Sequence, residues 1–271
     1  NVEKFKIGEK VILSWIKKKI KDEASPYYQD LDGKKINSGH VSTFSKITLV
    51  SKSRVYKVPH KLPLDIAALL GCAIPTGFGI VLKYFDKFDK KDYVGVYGAG
   101  GVGLMSIIAL KNLGFENIYA VDRNKKNLHI AKKFGCKKTY NFDVLKDKEK
   151  FDSEINKEQI QFNIELSGSE VMMQSAYKNL SKKGTFVLAG NTKIGQKIKI
   201  NPYDLIFGKK IYGFSGNDVS LEDNINNYSK IIKKLNFSKI RKVYKTYSFK
   251  NINLAIKDFN KGKVLRPLIK F

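Results

Sequence analysis

DYVGVYGAGGVGLMSIIALKNLGFENIYAVD, residues Asp92–Asp122, is the stretch from which the fold is read. An apolar β-type run ends in Gly98-Ala99-Gly100-Gly101-Val102-Gly103. A helical run follows from Leu104 to Leu113, and a second β-type run from Asn117 to Val121 stops at the acid Asp122. Strand, glycine turn, helix, strand and acid in this order predict a dinucleotide-binding βαβ unit. Gly98 permits the tight turn, Gly100 leaves room for a pyrophosphate, and Gly103 lets helix pack closely on strand. The helix start, from Gly101 and Val102 onward, would present N–H groups and the positive end of the helix dipole to the phosphates. Asp122 would accept hydrogen bonds from the adenosine ribose hydroxyls, which favours NAD over NADP. Arg123 follows directly, with Lys125 and Lys126 close behind; a basic residue here can pair with a 2′-phosphate, so NADP is kept as the minor alternative.

Outward from this unit the alternation continues. Lys125–Phe134 reads as a helix, Thr139-Tyr140 as a short strand, Phe162–Leu166 as a buried strand and Glu170–Leu180 as a helix. Thr185–Ala189 and Lys210–Phe214 read as further strands, with a short helix at Tyr203–Phe207 between them. The expected class is therefore α/β, a doubly wound parallel sheet of the Rossmann type, with ligand at the carboxyl ends of its strands.

The flanks have another texture. A Gly8-Glu9 turn leads into an apolar run at Val11–Leu13, and the polar stretch Lys17–His40 predicts a loop or lobe with little periodicity. Ser45–Val50 and Arg54–Val58 read as strands. Pro63 opens a helical run in which Pro75 and Gly77 are expected to cause a bend or break. After residue 216 the order is helix (Asp223–Leu235), strand (Ile240–Tyr247), helix (Asn251–Phe259) and strand (Val264–Phe271). Residues 74–215 are thus expected to form a nucleotide-binding domain inserted between 1–73 and 216–271, which together make a second, discontinuous domain.

Composition narrows the setting. The 271 residues carry a formal charge of +26, with hydrophobic content of 42%, adequate for a core. The lysines are dispersed and no nucleic-acid motif accompanies them, so specific nucleic-acid binding is not expected. No apolar run reaches membrane-spanning length. Cys72 and Cys136, the two cysteines, do not make a disulfide framework, and the opening NVEKFKIGEKV shows no signal-peptide pattern. A cytoplasmic setting is the expectation.

Further residues fall into a familiar order: Gly8-Glu9-Lys10-Val11, Ser42-Thr43-Phe44, Leu64-Asp65-Ile66-Ala67-Ala68-Leu69-Leu70-Gly71-Cys72 with Thr76-Gly77, the glycine turn with Asp122, and Arg266. Over nearly its whole length the chain resembles the zinc-type alcohol dehydrogenases of the medium-chain dehydrogenase/reductase superfamily. The resemblance implies hydride transfer between NAD(P) and an alcohol/carbonyl pair, with zinc polarising the oxygen. It implies a mainly β, GroES-like catalytic domain, here partial. It matches Cys72 to a catalytic zinc ligand at the interdomain cleft, Thr76 and Val102 to positions packing on the nicotinamide, and Arg266 to a pyrophosphate partner. Backbone around Leu166, Ala189 and Phe214 would line the carboxamide pocket. A homo-oligomer joined through the edge around Lys210–Phe214 is also implied.

The chain departs from that pattern in its metal ligands. The elements that carry the first zinc cysteine, the zinc histidine with its glutamate, and the proton-relay hydroxyl would precede Asn1, and residues 15–43 contain no cysteine for a structural zinc lobe. A catalytic zinc needs about three protein ligands plus an open position, and Cys72 is one. His40 lies in a loop that the family places near substrate, whereas His60 and His129 read as surface positions and Cys136 as a buried one. The reading is an NAD-dependent, zinc-assisted alcohol or polyol dehydrogenase in its complete form. The alternatives are a zinc-free NADPH-dependent quinone or enoyl reductase and a non-catalytic dinucleotide-binding protein.

Overall fold

Short apolar runs separated by polar turns can pair only briefly, and the early part of the chain forms small ribbons. In the computed structural model, which describes residues 4–21, 23–85, 88–142, 148–157, 159–235 and 237–271, β1 (Val11–Leu13) is the first strand. The stretch read as featureless contains a hairpin, β2 (Tyr27–Gln29) with β3 (Lys35–Asn37). Its turn is closed by Asp30, whose Oδ1 accepts from the amides of Asp32 at 3.1 Å and Lys34 at 2.8 Å. Such a side-chain turn needs no apolar alternation, so periodicity could not reveal it. Ser45–Val50 is not a strand. It makes no ladder, and the Leu49 amide donates instead to the Tyr28 hydroxyl at 2.9 Å. β4 (Val55–Lys57) pairs antiparallel with β1.

The helix break also falls elsewhere than expected. Helix α1 (Leu64–Ala67) runs into a tight turn at Ala68–Gly71, and the chain bends by 57° before α2 (Ala73–Tyr84). The break residue is Cys72, at φ −155° and ψ −68°. Pro75 and Gly77 lie within the continuous α2. Pro75 is its third residue, where no intrahelical hydrogen bond is lost.

Six parallel strands follow: β5 (Tyr93–Tyr97), α3 (Gly101–Asn112), β6 (Asn117–Asp122), α4 (Lys125–Lys133), β7 (Lys138–Asn141), α5 (Lys148–Asn156), β8 (Phe162–Glu165), α6 (Glu170–Lys178), β9 (Thr185–Leu188), α7 (Pro202–Ile206) and β10 (Lys210–Gly213). Their order across the sheet is β10-β9-β8-β5-β6-β7. The strands that come first in sequence thus run one way from β5 and the later ones the other, which is the dinucleotide-binding arrangement with its switch point between β5 and β8. Every residue of β6 and β8 is buried, as strands covered on both faces require. On one face Phe162 meets the Phe85 ring at 3.8 Å, and Phe88 and Phe115 join the cluster. The opposite face packs Tyr97, Tyr119, Val121 and Phe186 against Phe151, Ile155, Met172 and Ala176 of α5 and α6. Helix α5 falls in a segment for which the sequence pattern suggested no element.

The remainder comprises α8 (Leu221–Lys234), α9 (Phe237–Ile240), β11 (Tyr244–Ser248), α10 (Ile252–Asn260) and β12 (Arg266–Lys270), with β11 and β12 paired in parallel. By contacts the chain divides into Asn1–Pro75 with Gly216–Phe271, and Thr76–Ser215. Among the described residues no single helix is long and apolar enough to cross a membrane.

Candidate functional site

The turn after β5 carries the conformation that its glycines suggest. Gly98 sits at φ +92°, where a side chain is strained, and a Cβ there would lie 2.6 Å from the Ser167 amide nitrogen. At Gly103 a Cβ would overlap the Gly98 carbonyl, so the first turn of α3 can close on the strand only without one. Gly100 differs: the space its Cβ would enter is open, with nothing within 4 Å. Gly100 is also the N-cap of α3 and offers no side-chain hydrogen bond to it. The amides of the first turn, beginning with Gly101 and Val102, therefore have no intrahelical acceptor and point, with the positive end of a twelve-residue helix, toward an open cradle. Val102 and Gly101 are both half-buried, whereas Leu104–Leu110 are buried in the core.

Asp122 closes the far side of this turn. It is only 7% exposed, and its carboxylate accepts from the Ala99 amide at 2.8 Å, the Asn124 amide at 2.7 Å and the Asn127 side chain at 3.2 Å. Oδ2 takes two of these bonds and Oδ1 one. A carboxylate has about four acceptor positions, so Oδ1 keeps room for another donor. The Ala99 bond ties the glycine turn to the end of β6. Arg123, next in sequence, is exposed.

The loop after β8 completes the edge, and here structure adds a residue that sequence reading passed over. Glu165 is fully buried at the carboxyl end of β8, opposite Tyr97 of β5. Its Oε1 accepts from the Ser167 amide at 2.7 Å, the Gly168 amide at 3.1 Å and the Ser167 hydroxyl. Burial pushes the carboxyl above the ordinary carboxylate range, against the pull of those hydrogen bonds. The signal was an acid ending the apolar run Phe162–Leu166 just before Ser167-Gly168. Leu166, Ala189 and Phe214 lie at the ends of β8, β9 and β10, their amides bonded to Tyr97, Glu165 and Leu188 carbonyls respectively.

The other expected positions are spread over the chain. Cys72 is partly exposed at the helix break, Thr76 is half-buried in the first half of α2, and Arg266 is half-buried at the start of β12. Cys72 and Arg266 belong to the unit containing both chain ends, and the glycine turn with Asp122 to the other. His40, His60 and His129 are exposed. Cys136 is buried, which pushes its thiol up to about 12 and makes it inert. Among the described residues no three His, Cys, Asp or Glu side chains gather as a metal would require. Cys72 is one donor where zinc needs about three, so these residues alone do not fit a zinc ion.

Residues 101–235 match the family described as zinc-binding dehydrogenase. The S-(hydroxymethyl)glutathione dehydrogenase of Saccharomyces cerevisiae is 30% identical over 234 residues, covering 84% of this chain. Residues 101–235 thus fall within the zinc-binding dehydrogenase family. Among solved structures, benzyl alcohol dehydrogenase from Acinetobacter calcoaceticus superposes with a TM-score of 0.73 at 27% identity, covering 82% of this chain and 61% of that one. A zinc-binding domain protein from Burkholderia ambifaria gives 0.73 at 26% identity, over 82% of this chain and 60% of its own. The chain spans 60% of the length of the yeast relative.

Proposed function

We propose that this chain supplies the nicotinamide dinucleotide site of an alcohol or polyol dehydrogenase that uses NAD. The observation that carries the proposal is the pairing of an open cradle at Gly100 with a buried Asp122 that retains one acceptor position. The α3 amides would hold the pyrophosphate and Asp122 Oδ1 a ribose hydroxyl. When bound, the nicotinamide supplies the hydride acceptor, while the chain binds and orients it. An NADPH-using relative would have to bring a 2′-phosphate against the Asp122 carboxylate, a repulsion that the neighbouring Arg123 only partly offsets. NAD is therefore the preferred cofactor.

The similarity to the yeast S-(hydroxymethyl)glutathione dehydrogenase and the Acinetobacter benzyl alcohol dehydrogenase supports an alcohol/carbonyl substrate. Thr76 and Val102 are assigned to the nicotinamide, Arg266 to the pyrophosphate, and Cys72 as the single thiol this chain would contribute to a metal. The proposed homo-oligomer would use β10, the outermost strand of the sheet, whose second edge has no partner within the described residues. Titration of the chain with NADH, followed by nicotinamide fluorescence, tests the cofactor assignment. Gly100→Val should fill the cradle and weaken binding by at least about tenfold without unfolding the sheet. Equal affinity in the parent and Gly100→Val chains would contradict the assignment.

A further inference from the structure

Three loops leave the sheet at its carboxyl end, after β5, β8 and β9; one acid bonds the last two, and the loop after β8 packs on the first. The Glu165 backbone carbonyl accepts from the Ala189 amide at 3.0 Å and the Gly190 amide at 2.8 Å, which anchors the loop after β9. Its Oε1 collects the two amides and the hydroxyl of Ser167-Gly168, which shapes the loop after β8. That second loop in turn packs on the glycine turn, since a Cβ at Gly98 would stand 2.6 Å from the Ser167 nitrogen and 2.8 Å from the Leu166 carbonyl carbon. The acid occupies all the space available to it. A Cβ on Gly190 would collide with Glu165 Oε2 and the Gly168 nitrogen, and one on Gly168 would overlap the Asn191 carbonyl.

Bonding at the carboxyl group is lopsided. Oε1 holds three donors, whereas Oε2 is buried with no hydrogen-bond partner among the described residues. A fully buried acid is a costly way to fill a core position, and a leucine-sized side chain would do so without desolvating a polar group. The loop geometry therefore accounts for the acid better than packing does. Ser167 itself is exposed, at the rim where the sheet's ligand binds.

We propose that Glu165 is a positioning residue for the dinucleotide: its carboxyl group gathers Ser167 and Gly168, beside the Ala189-Gly190 turn that its backbone carbonyl holds, and so keeps the crevice next to the glycine turn in its binding shape before the cofactor arrives. The proposal rests on the NAD reading above and deepens it. Its mechanism is preorganisation, in which the ordering cost of the loops is met on folding and not on binding.

Three variants in the 271-residue chain test it, with NADH fluorescence titration, thermal melting and amide hydrogen exchange as readouts. Glu165→Leu keeps the volume and removes the acceptor. It should bind NADH about tenfold more weakly, the equivalent of one lost buried acceptor, and the Ser167 and Gly168 amides should exchange faster. Glu165→Gln keeps an acceptor oxygen and should restore both affinity and protection to within about threefold of the parent, less than half a tenfold step in free energy. Gly190→Ala retains the acid but drives a Cβ against its Oε2 and the Gly168 nitrogen, displacing the loop that the acid holds, so its affinity should also fall by about tenfold, and it decides the matter should Glu165→Leu fail to fold. Parent-like NADH affinity in folded Glu165→Leu or in Gly190→Ala overturns the positioning role, as does a Glu165→Gln chain as weak as Glu165→Leu but melting with the parent. Failure of the parent itself to bind NADH overturns the cofactor reading, and the role of Glu165 with it.

Discussion

At the scale of single residues, the two acids of the sheet edge illustrate opposite uses of a carboxylate. Asp122 meets donors on both oxygens and closes a turn, whereas Glu165, among the described residues, meets them on one oxygen at a fully buried site. Burial raises the Glu165 carboxyl above its ordinary value of 4.5, with hydrogen bonds from Ser167 and Gly168 only partly opposing the shift. The folded chain therefore keeps a proton that the unfolded chain releases, and stability falls as pH rises from 4.5 through the raised value. Above that value the penalty is constant. Glu165→Gln cannot titrate, so urea unfolding across a pH series should show the parent losing stability relative to the variant over this window; parallel curves would contradict the assignment. Asp122 was legible in sequence because its place after β6 is set by spacing. Glu165 was not, because an acid at the end of a strand becomes informative only when its burial and its donors are seen.

At the scale of elements, the glycines mark close approaches between backbones. Gly77 was expected to interrupt its helix. It lets α2 lie against α3: a Cβ there would stand 2.6 Å from Met105 Cβ and 2.7 Å from the Val102 carbonyl, while the Ser106 hydroxyl donates to the Gly77 carbonyl at 3.2 Å. Gly77→Val should force these helices apart and cost about 1–3 kcal/mol in chemical denaturation. A stability equal to the parent's would show that the contact is slack. The sheet elements were readable because parallel strands are apolar throughout and helices follow them at regular intervals. The β2–β3 hairpin and the break at Cys72 escaped, since a side-chain turn at Asp30 and a single unusual backbone conformation leave no periodic trace. Ser45–Val50 misled for the converse reason: Ile47 and Leu49 are apolar but exposed, 85% and 65%, and they face no partner strand.

At the scale of the molecule, strand order, the cradle at Gly100 and the similarity to zinc-binding dehydrogenases all support the proposed dinucleotide site. The metal centre is not assembled by the described residues, and the chain spans 60% of its yeast relative, so the NAD site is the part of the proposed activity that this chain can be asked to perform alone. The formal charge of +26 gives any anion a general attraction, which makes discrimination between two anions more informative than binding of one. The direct measurement is a paired calorimetric titration of the chain with NADH and NADPH in the same salt. Saturable one-site binding of NADH, with NADPH weaker by about tenfold or more, is the predicted result. Equal or tighter binding of NADPH, or no saturable binding of either by a folded chain, would contradict the account.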